Sequence, residues 1–379
     1  MMELLFWLLL ALLIYIYFGY PTLVAWMAEF KPRPVAKAEI TPKVSVLIAA
    51  FNEADHIEET VRNKLAQDYP NESLEVIVIS DGSDDGTDEI VQQISNEDAR
   101  VKLLVQSPRA GKTSALNMAV PEASGELIVF SDANSVYRHD AIRKLAANFA
   151  DPEVGYVTGQ MIYGNPESSM TADGCSAYMK YENALRRWET GIGSVVGVDG
   201  GIDCMRKALY QEMNADQLPD FVQPLKVVAQ EHRVVYEADA LLGEDALDDS
   251  GREYRMRVRV GLRALWGMWD MRALFDTSNN ALFSWQLFSH KLLRYLAFIP
   301  QALLLLVHLP LSVQGGFFGF TFILHLAFYG LALIGHLRPG GGALVSIPYY
   351  FTLINVASAH AFLRFVKGEK VVLWKPRVG

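Results

Sequence analysis

Val44-Ser45-Val46-Leu47-Ile48-Ala49-Ala50 is an apolar, β-branched run broken by one serine, and it leads into Phe51-Asn52-Glu53. A strand with one wet face alternates apolar and polar residues; a run without alternation fits a strand covered on both sides, as in a parallel sheet between helices. The pattern continues downstream. A helical pattern opens at Asn52-Glu53 and runs to Gln67; 74–80 reads as a second buried strand, 87–94 as a helix, 101–105 as a strand, 112–120 as a helix and 127–130 as a fourth strand. Strands alternating with helices at this spacing predict parallel βαβ units. Ligands of such sheets sit beyond the carboxyl ends of the strands. Polar residues gather at each of those ends: Asn52-Glu53, the stretch Asp81-Gly82-Ser83-Asp84-Asp85-Gly86-Thr87, Arg109-Ala110-Gly111-Lys112, and Ser131-Asp132-Ala133-Asn134.

No G-x-G-x-x-G follows the first strand, and Gly111-Lys112-Thr113 lacks the upstream glycine of a P-loop, so a dinucleotide or P-loop site is disfavoured. Asp132 and Asn134 are hard oxygen donors two residues apart. On an extended segment they point the same way and suit one Mg²⁺ or Mn²⁺ that keeps positions open for phosphate oxygens.

The 379 residues are 51% hydrophobic and 20% charged, which excludes a wholly soluble globular chain and leaves room for one domain of roughly 200 to 270 residues beside a few membrane spans. A net charge of −9 argues against a nucleic-acid partner. Cys175 and Cys204 match neither a disulfide framework nor a zinc site and read as two free thiols.

Residues 4–28 carry no charge, long enough for a span, and the only charge ahead of them is Glu3, unlike a cleaved signal peptide. Lys31, Arg33 and Lys37 follow, which puts the N-terminus outside and the next segment in the cytoplasm. Residues 295–337 lack Asp, Glu, Lys and Arg, with a turn at Gln314-Gly315-Gly316 between two spans; a softer third run extends to Leu363 and holds Ser346, Pro348, Asn355, Ser358 and His360. Three C-terminal spans place the tail outside, yet Arg364, Lys367, Lys370, Lys375 and Arg377 favour the inside. The organisation expected is an N-terminal span and flank (1–36), a cytoplasmic domain (37–276), an amphipathic interface helix (277–294), a region of two to three spans (295–363) and a basic tail (364–379). His232 and His290 read as a surface and an interfacial histidine.

Taken together, the strand-end residues resemble the GT-A domain, a Rossmann-like mixed α/β sheet, of family 2 glycosyltransferases, in the membrane-embedded branch with cellulose, chitin and hyaluronan synthases. The likeness covers roughly residues 42–265. It implies that Asn52 and Glu53 lie at the nucleoside, that Asp81 contacts the base, and that Lys112 faces the nucleotide phosphates. Asp132-Ala133-Asn134 stands where the family has Asp-x-Asp, implying Mg²⁺ or Mn²⁺ bound by Asp132 and Asn134, with Asp132 also at the donor. Gly200-Gly201-Ile202-Asp203 resembles the small-residue segment beneath the acceptor sugar, which places Gly201 and Asp203 at substrate.

An inverting transfer needs a carboxylate to take the acceptor hydroxyl's proton. Glu244-Asp245 superficially resembles the family's Thr-Glu-Asp motif, but it follows 233–239, which resembles the strand after the base-bearing helix. Asp220, in Leu218-Pro219-Asp220, precedes that strand by the expected distance and is the base chosen; Glu244, Asp245, Asp248 and Asp249 read as a solvated loop. Arg255, Arg259 and Arg263 fall at i, i+4, i+8 on one helical face, suited to pyrophosphate or lipid headgroups. They occupy the place of a Gln-x-x-Arg-Trp motif in which only Arg259 matches, with Met256 for Gln and Val260 for Trp. Trp374-Lys375-Pro376-Arg377 resembles the Trp-x-x-Arg ending of several synthases, putting Trp374 at substrate.

The resemblance implies a cell-membrane enzyme taking a nucleotide-diphosphate sugar, a UDP-sugar foremost, to a growing polysaccharide, with export and accessory export subunits possible partners beside membrane lipids. Transfer of a single sugar to a lipid carrier and a catalytically degenerate synthase subunit are the alternatives, so the acceptor partner is a glycan or is lipid-linked.

Overall fold

The computed structural model describes residues 1–163, 170–244, 250–337 and 342–372. It opens with α1 (Met2–Phe30), a 29-residue apolar helix. The parallel half of the sheet domain follows: β1 (Val44–Ala50), α2 (Ile57–Leu65), β2 (Leu74–Ser80), α3 (Thr87–Glu97), β3 (Val101–Val105), α4 (Lys112–Glu122) and β4 (Leu127–Asp132). Every residue of β1 is buried. Val44, Val46 and Ile48 pack with Ile57, Val61 and Val91 of the helices on one side, while Leu47 and Ala49 meet Ala115, Leu116 and Ala119 of α4 on the other. Coverage on both faces is why the run carries no alternation.

The second half contains β5 (Val136–Tyr137), α5 (Ala141–Ala147), β6 (Val154–Tyr163), α6 (Met170–Ile192), β7 (Ile202–Arg206), α7 (Pro219–Ala229), β8 (Arg233–Glu244) and α8 (Ser250–Asp270). All eight strands form one sheet in the order β3-β2-β1-β4-β7-β6-β8-β5. Chain order reverses at β1, which pairs in parallel with both β2 and β4, so a crevice opens between their carboxyl ends. β7 runs antiparallel between β4 and β6, setting Asp203 opposite Phe130 and bringing Gly200-Gly201 up to the end of β4.

Four helices complete the described chain: α9 (Thr277–Tyr295), α10 (Phe298–Ser312), α11 (Gly316–Leu337) and α12 (Ala343–Val366). α1 and α11 are long and apolar enough to cross a membrane; α9 and α10 pass that test only as a pair, bent by 57°. α12 is not among these helices. It packs along α8, with Ala361 against Gly261 and the Phe365 ring tilted 60° against Trp266 at a centroid distance of 4.6 Å. Residues beyond it return to the domain: the Trp266 indole donates to the Glu369 carbonyl at 2.8 Å, Lys370 pairs with Asp216, and the Val372 carbonyl abuts Gly111. The tail up to residue 372 thus packs against the domain that carries the sheet.

Two expectations change. The helix after β1 starts at Ile57, not Asn52, because Asn52 adopts a left-handed backbone (φ 54) and residues 52–54 donate their N–H groups to the loop after β2. The segment near 285–294 turns its ionic side chains toward α6. The buried His290 ring sits 2.7 Å from Glu189 and 3.3 Å from Glu182, two acids of α6, and Arg294 bonds Glu182 as well. Its charges face inward because α6 supplies their partners. Cys175 and Cys204 are free and buried.

Candidate active site

On the donor side, two strand-end loops are fastened together. The Asn52 side chain exchanges hydrogen bonds with Asp84, donating at 2.8 Å to its carboxylate and accepting its backbone N–H at 3.0 Å. Asp85 accepts from the backbone of Ala54 and Thr87, while the Glu53 N–H donates to the Thr87 hydroxyl. Asp81 is fully buried, and both its oxygens accept from the next loop: the Gln106 amide, Ala110 N–H at 2.8 Å and Gly111 N–H at 3.0 Å, with Arg109 at 3.4 Å. The Arg109 guanidinium stacks 3.4 Å above the Phe51 ring. In this arrangement Asp81 holds the loop that carries Lys112.

Across the crevice, acids converge on that lysine. Lys112 Nζ lies 2.6 Å from Asp132 and 3.8 Å from Asp220. Burial alone lowers the ammonium's pKa, but Asp132 and Asp220 more than offset it and hold Lys112 above an ordinary lysine. Asp220 enters from the first turn of α7, whose start Pro219 fixes. Gly200 makes the approach possible: its φ is +87, and a Cβ there would stand 2.6 Å from an Asp220 oxygen. Burial raises the pKa of Asp220, Lys112 opposes that and Asp132 adds to it. Such a carboxylate is a stronger base than a solvated one.

Asp203 stands behind this group. It is 1% exposed, accepts from the Tyr156 hydroxyl at 2.8 Å, keeps its other oxygen without a partner, and is pushed up to about 7 by burial. It lines, with Asp220, a cavity of about 10 Å³. Gly201 is buried, and its carbonyl accepts from Tyr137 at 2.8 Å.

Among the arginines, the half-buried Arg259 lies within electrostatic reach of Asp220 and Asp132, although burial lowers its pKa. Arg255, one turn away, is exposed. Arg263 is 8% exposed and donates to the Gln217 and Asp216 carbonyls and the Thr113 hydroxyl, so it braces the fold rather than facing the crevice. Trp374, Asp245, Asp248, Asp249 and the Glu244 side chain lie outside the described residues.

Asp132 and the half-buried Asn134 supply two hard oxygens at the end of β4, and no cluster of three His, Cys, Asp or Glu among the described residues can hold a metal alone. The donor set suits a divalent ion completed by substrate phosphate. One functional residue escaped the sequence reading. Lys64, 0% exposed, donates at 2.6 Å to the Ser135 carbonyl and sits 3.8 Å over the Tyr137 ring, bracing the segment that presents Asp132 and Asn134. Burial lowers its pKa to about 7, with Asp132 pulling it upward. The signal was available: Ile57, Val61 and Lys64 share the i, i+4, i+7 face that packs on the sheet.

The mixed sheet, with acids and a lysine at its switch point, is the GT-A arrangement of nucleotide-sugar transferases. The family model described as Glycosyl transferase family 2 matches residues 45–202, from β1 to the start of β7. The chain is 29% identical over 221 residues to the poly-β-1,6-N-acetyl-D-glucosamine synthase of Staphylococcus aureus (strain MSSA476), 57% of this chain and 53% of that one. It is 30% identical over 168 residues to the β-monoglucosyldiacylglycerol synthase of Trichormus variabilis, 44% of this chain and 36% of that one. The chain thus spans about half the length, or less, of these curated relatives. The mannosyltransferase PcManGT from Pyrobaculum calidifontis, solved with GDP-Man and Mn²⁺, superposes with a TM-score of 0.76 over 96% of this chain and 99% of that one at 23% identity, a likeness of fold.

Proposed function

We propose that the protein is an inverting glycosyltransferase that moves a sugar from a nucleotide-diphosphate sugar, a UDP-sugar foremost, to an acceptor glycan at the cell membrane, extending a polysaccharide. The observation that carries this reading is the convergence of Asp220, Asp132 and Lys112 at the switch point. Asp220 takes the proton of the acceptor hydroxyl as that oxygen bonds to the anomeric carbon; the bond from that carbon to phosphate breaks, and its electron pair leaves on the nucleotide diphosphate. Lys112 and Arg259 face the charge that grows there. Asp132 and Asn134 would hold Mg²⁺ or Mn²⁺, which neutralises diphosphate charge when bound; the Mn²⁺ in PcManGT supports this choice.

The poly-β-1,6-N-acetyl-D-glucosamine synthases support a polymer as product, with export and accessory subunits as its finer form. A second reading, one sugar transferred to a lipid-linked acceptor, is favoured by Val260 in place of the tryptophan of processive enzymes and by the glycolipid synthase relative. Purified full chain incubated with radiolabelled UDP- and GDP-sugars tests both. Transfer that stops in excess EDTA and returns with Mn²⁺ is expected; product size separates polymer from a single lipid-extractable adduct. Full activity in EDTA removes the metal, and no transfer with any donor overturns the enzymatic reading.

A further inference from the structure

A groove of about 480 Å³ runs between the first turn of α8, the second half of α11 and α12, lined mostly by apolar side chains that include Tyr254, Ala332, Leu333, Leu353 and Val356. This is the size of a small-ligand site, roughly 300 to 1,000 Å³. One wall belongs to α11, a helix long and apolar enough to cross a membrane, whose surroundings in a bilayer would be hydrocarbon. The other wall belongs to α8, which continues into the catalytic crevice. At 100° per residue, Gly251 and Tyr254 face the groove, Arg255 stands at its edge, and Arg259 follows on the same face as Arg255. The levels of Tyr254 and Arg259 are about 7.5 Å apart along the helix. An apolar slot thus passes into a cationic stripe that ends within electrostatic reach of Asp220 and Asp132.

An amphiphile with one hydrocarbon chain and an anionic head matches that sequence of surfaces; a neutral chain leaves the exposed Arg255 unanswered, and a soluble anion leaves the groove wet. We propose that the groove seats the hydrocarbon chain of a phosphate-linked lipid acceptor, whose phosphate meets Arg255 and whose sugar or hydroxyl reaches Asp220. The word acceptor rests on the transferase reading above; the groove assignment does not.

The test uses the full chain in nanodiscs and a diazirine-bearing farnesyl phosphate as photoreactive probe. Expected is labelling concentrated on 250–254, 329–336 and 349–356, displaced about tenfold better by farnesyl phosphate than by farnesol. Leu353→Trp, or Ala332→Phe should that variant fold poorly, lowers labelling about tenfold while retaining binding of nucleotide. Arg255→Gln keeps labelling and abolishes the preference for phosphate over alcohol. Labelling spread evenly over α1 and α11, or equal competition by farnesol or by phosphatidylcholine, overturns the proposal in favour of ordinary bilayer contact. Sugar transfer without preferential labelling overturns the groove assignment alone; preferential labelling without transfer from any donor overturns the enzymatic reading alone.

Discussion

The carboxylates after β2 and those at the ends of β4 and β7 and the start of α7 differ in how far the protein satisfies them. Asp81 has both oxygens bonded to the 106–111 loop, Asp84 is clasped by Asn52, and Asp85 accepts from two backbone N–H groups and the Thr87 hydroxyl. Asp132 and Asp220 instead crowd onto the Lys112 ammonium, and Asp203 keeps a buried oxygen unpaired. Satisfied acids shape a loop, and losing one is felt as stability. Crowded acids store like-charge repulsion that a proton, a metal ion or a substrate relieves, which is how functional sites shift pKa values.

Mutations sort along that divide. Asp220→Asn keeps shape and loses basicity, so kcat should fall about a thousandfold while nucleotide binding stays within a few-fold. Wild-type turnover in this variant, with loss in Glu244→Gln or Asp245→Asn, would reassign the base. Lys112→Met comes next. Asp220 works as the carboxylate, and Lys112 lowers a pKa that burial raises, so removing the ammonium raises it further and moves the acidic limb of kcat/KM to higher pH. A limb that stays in place or moves down uncouples the pair.

Arg259→Lys should cost about tenfold in kcat and less in donor affinity, because a point charge does not reproduce bidentate phosphate contacts. Arg263→Lys should instead lower Tm, since that side chain ties carbonyls together; the opposite pattern exchanges their roles. The smallest effect belongs to Asp85→Ala, about 1 kcal/mol of stability from lost cap-like bonds to backbone, read by denaturant titration. A loss of turnover approaching that of Asp220→Asn would erase the distinction between the two groups.

The strands β1, β2 and β4 could be read from sequence because burial on both faces leaves its mark in the residues themselves. The start of α7 was equally plain from Leu218-Pro219-Asp220. What stayed hidden depends on partners distant in the chain. His290 reads as an interfacial histidine until α6 and α9 are laid side by side and Glu182 and Glu189 meet its ring, and Lys64 passes for a solvated lysine unless its place on the apolar face of α2 is weighed. Likewise, nothing local to Asp81 tells that its oxygens are consumed by backbone N–H groups thirty residues on.

The contact between the Val372 carbonyl and Gly111 has a consequence in time. Gly111 leaves the ribosome with the parallel half of the sheet, whereas residues 369–372 emerge only after α9 to α12 have been made. The sheet can close early, but the wall beside the Lys112 loop is supplied by chain translated after every described apolar helix. Order of synthesis therefore sets order of maturation, and the wall beside Lys112 is finished only in a chain whose apolar helices have already been made.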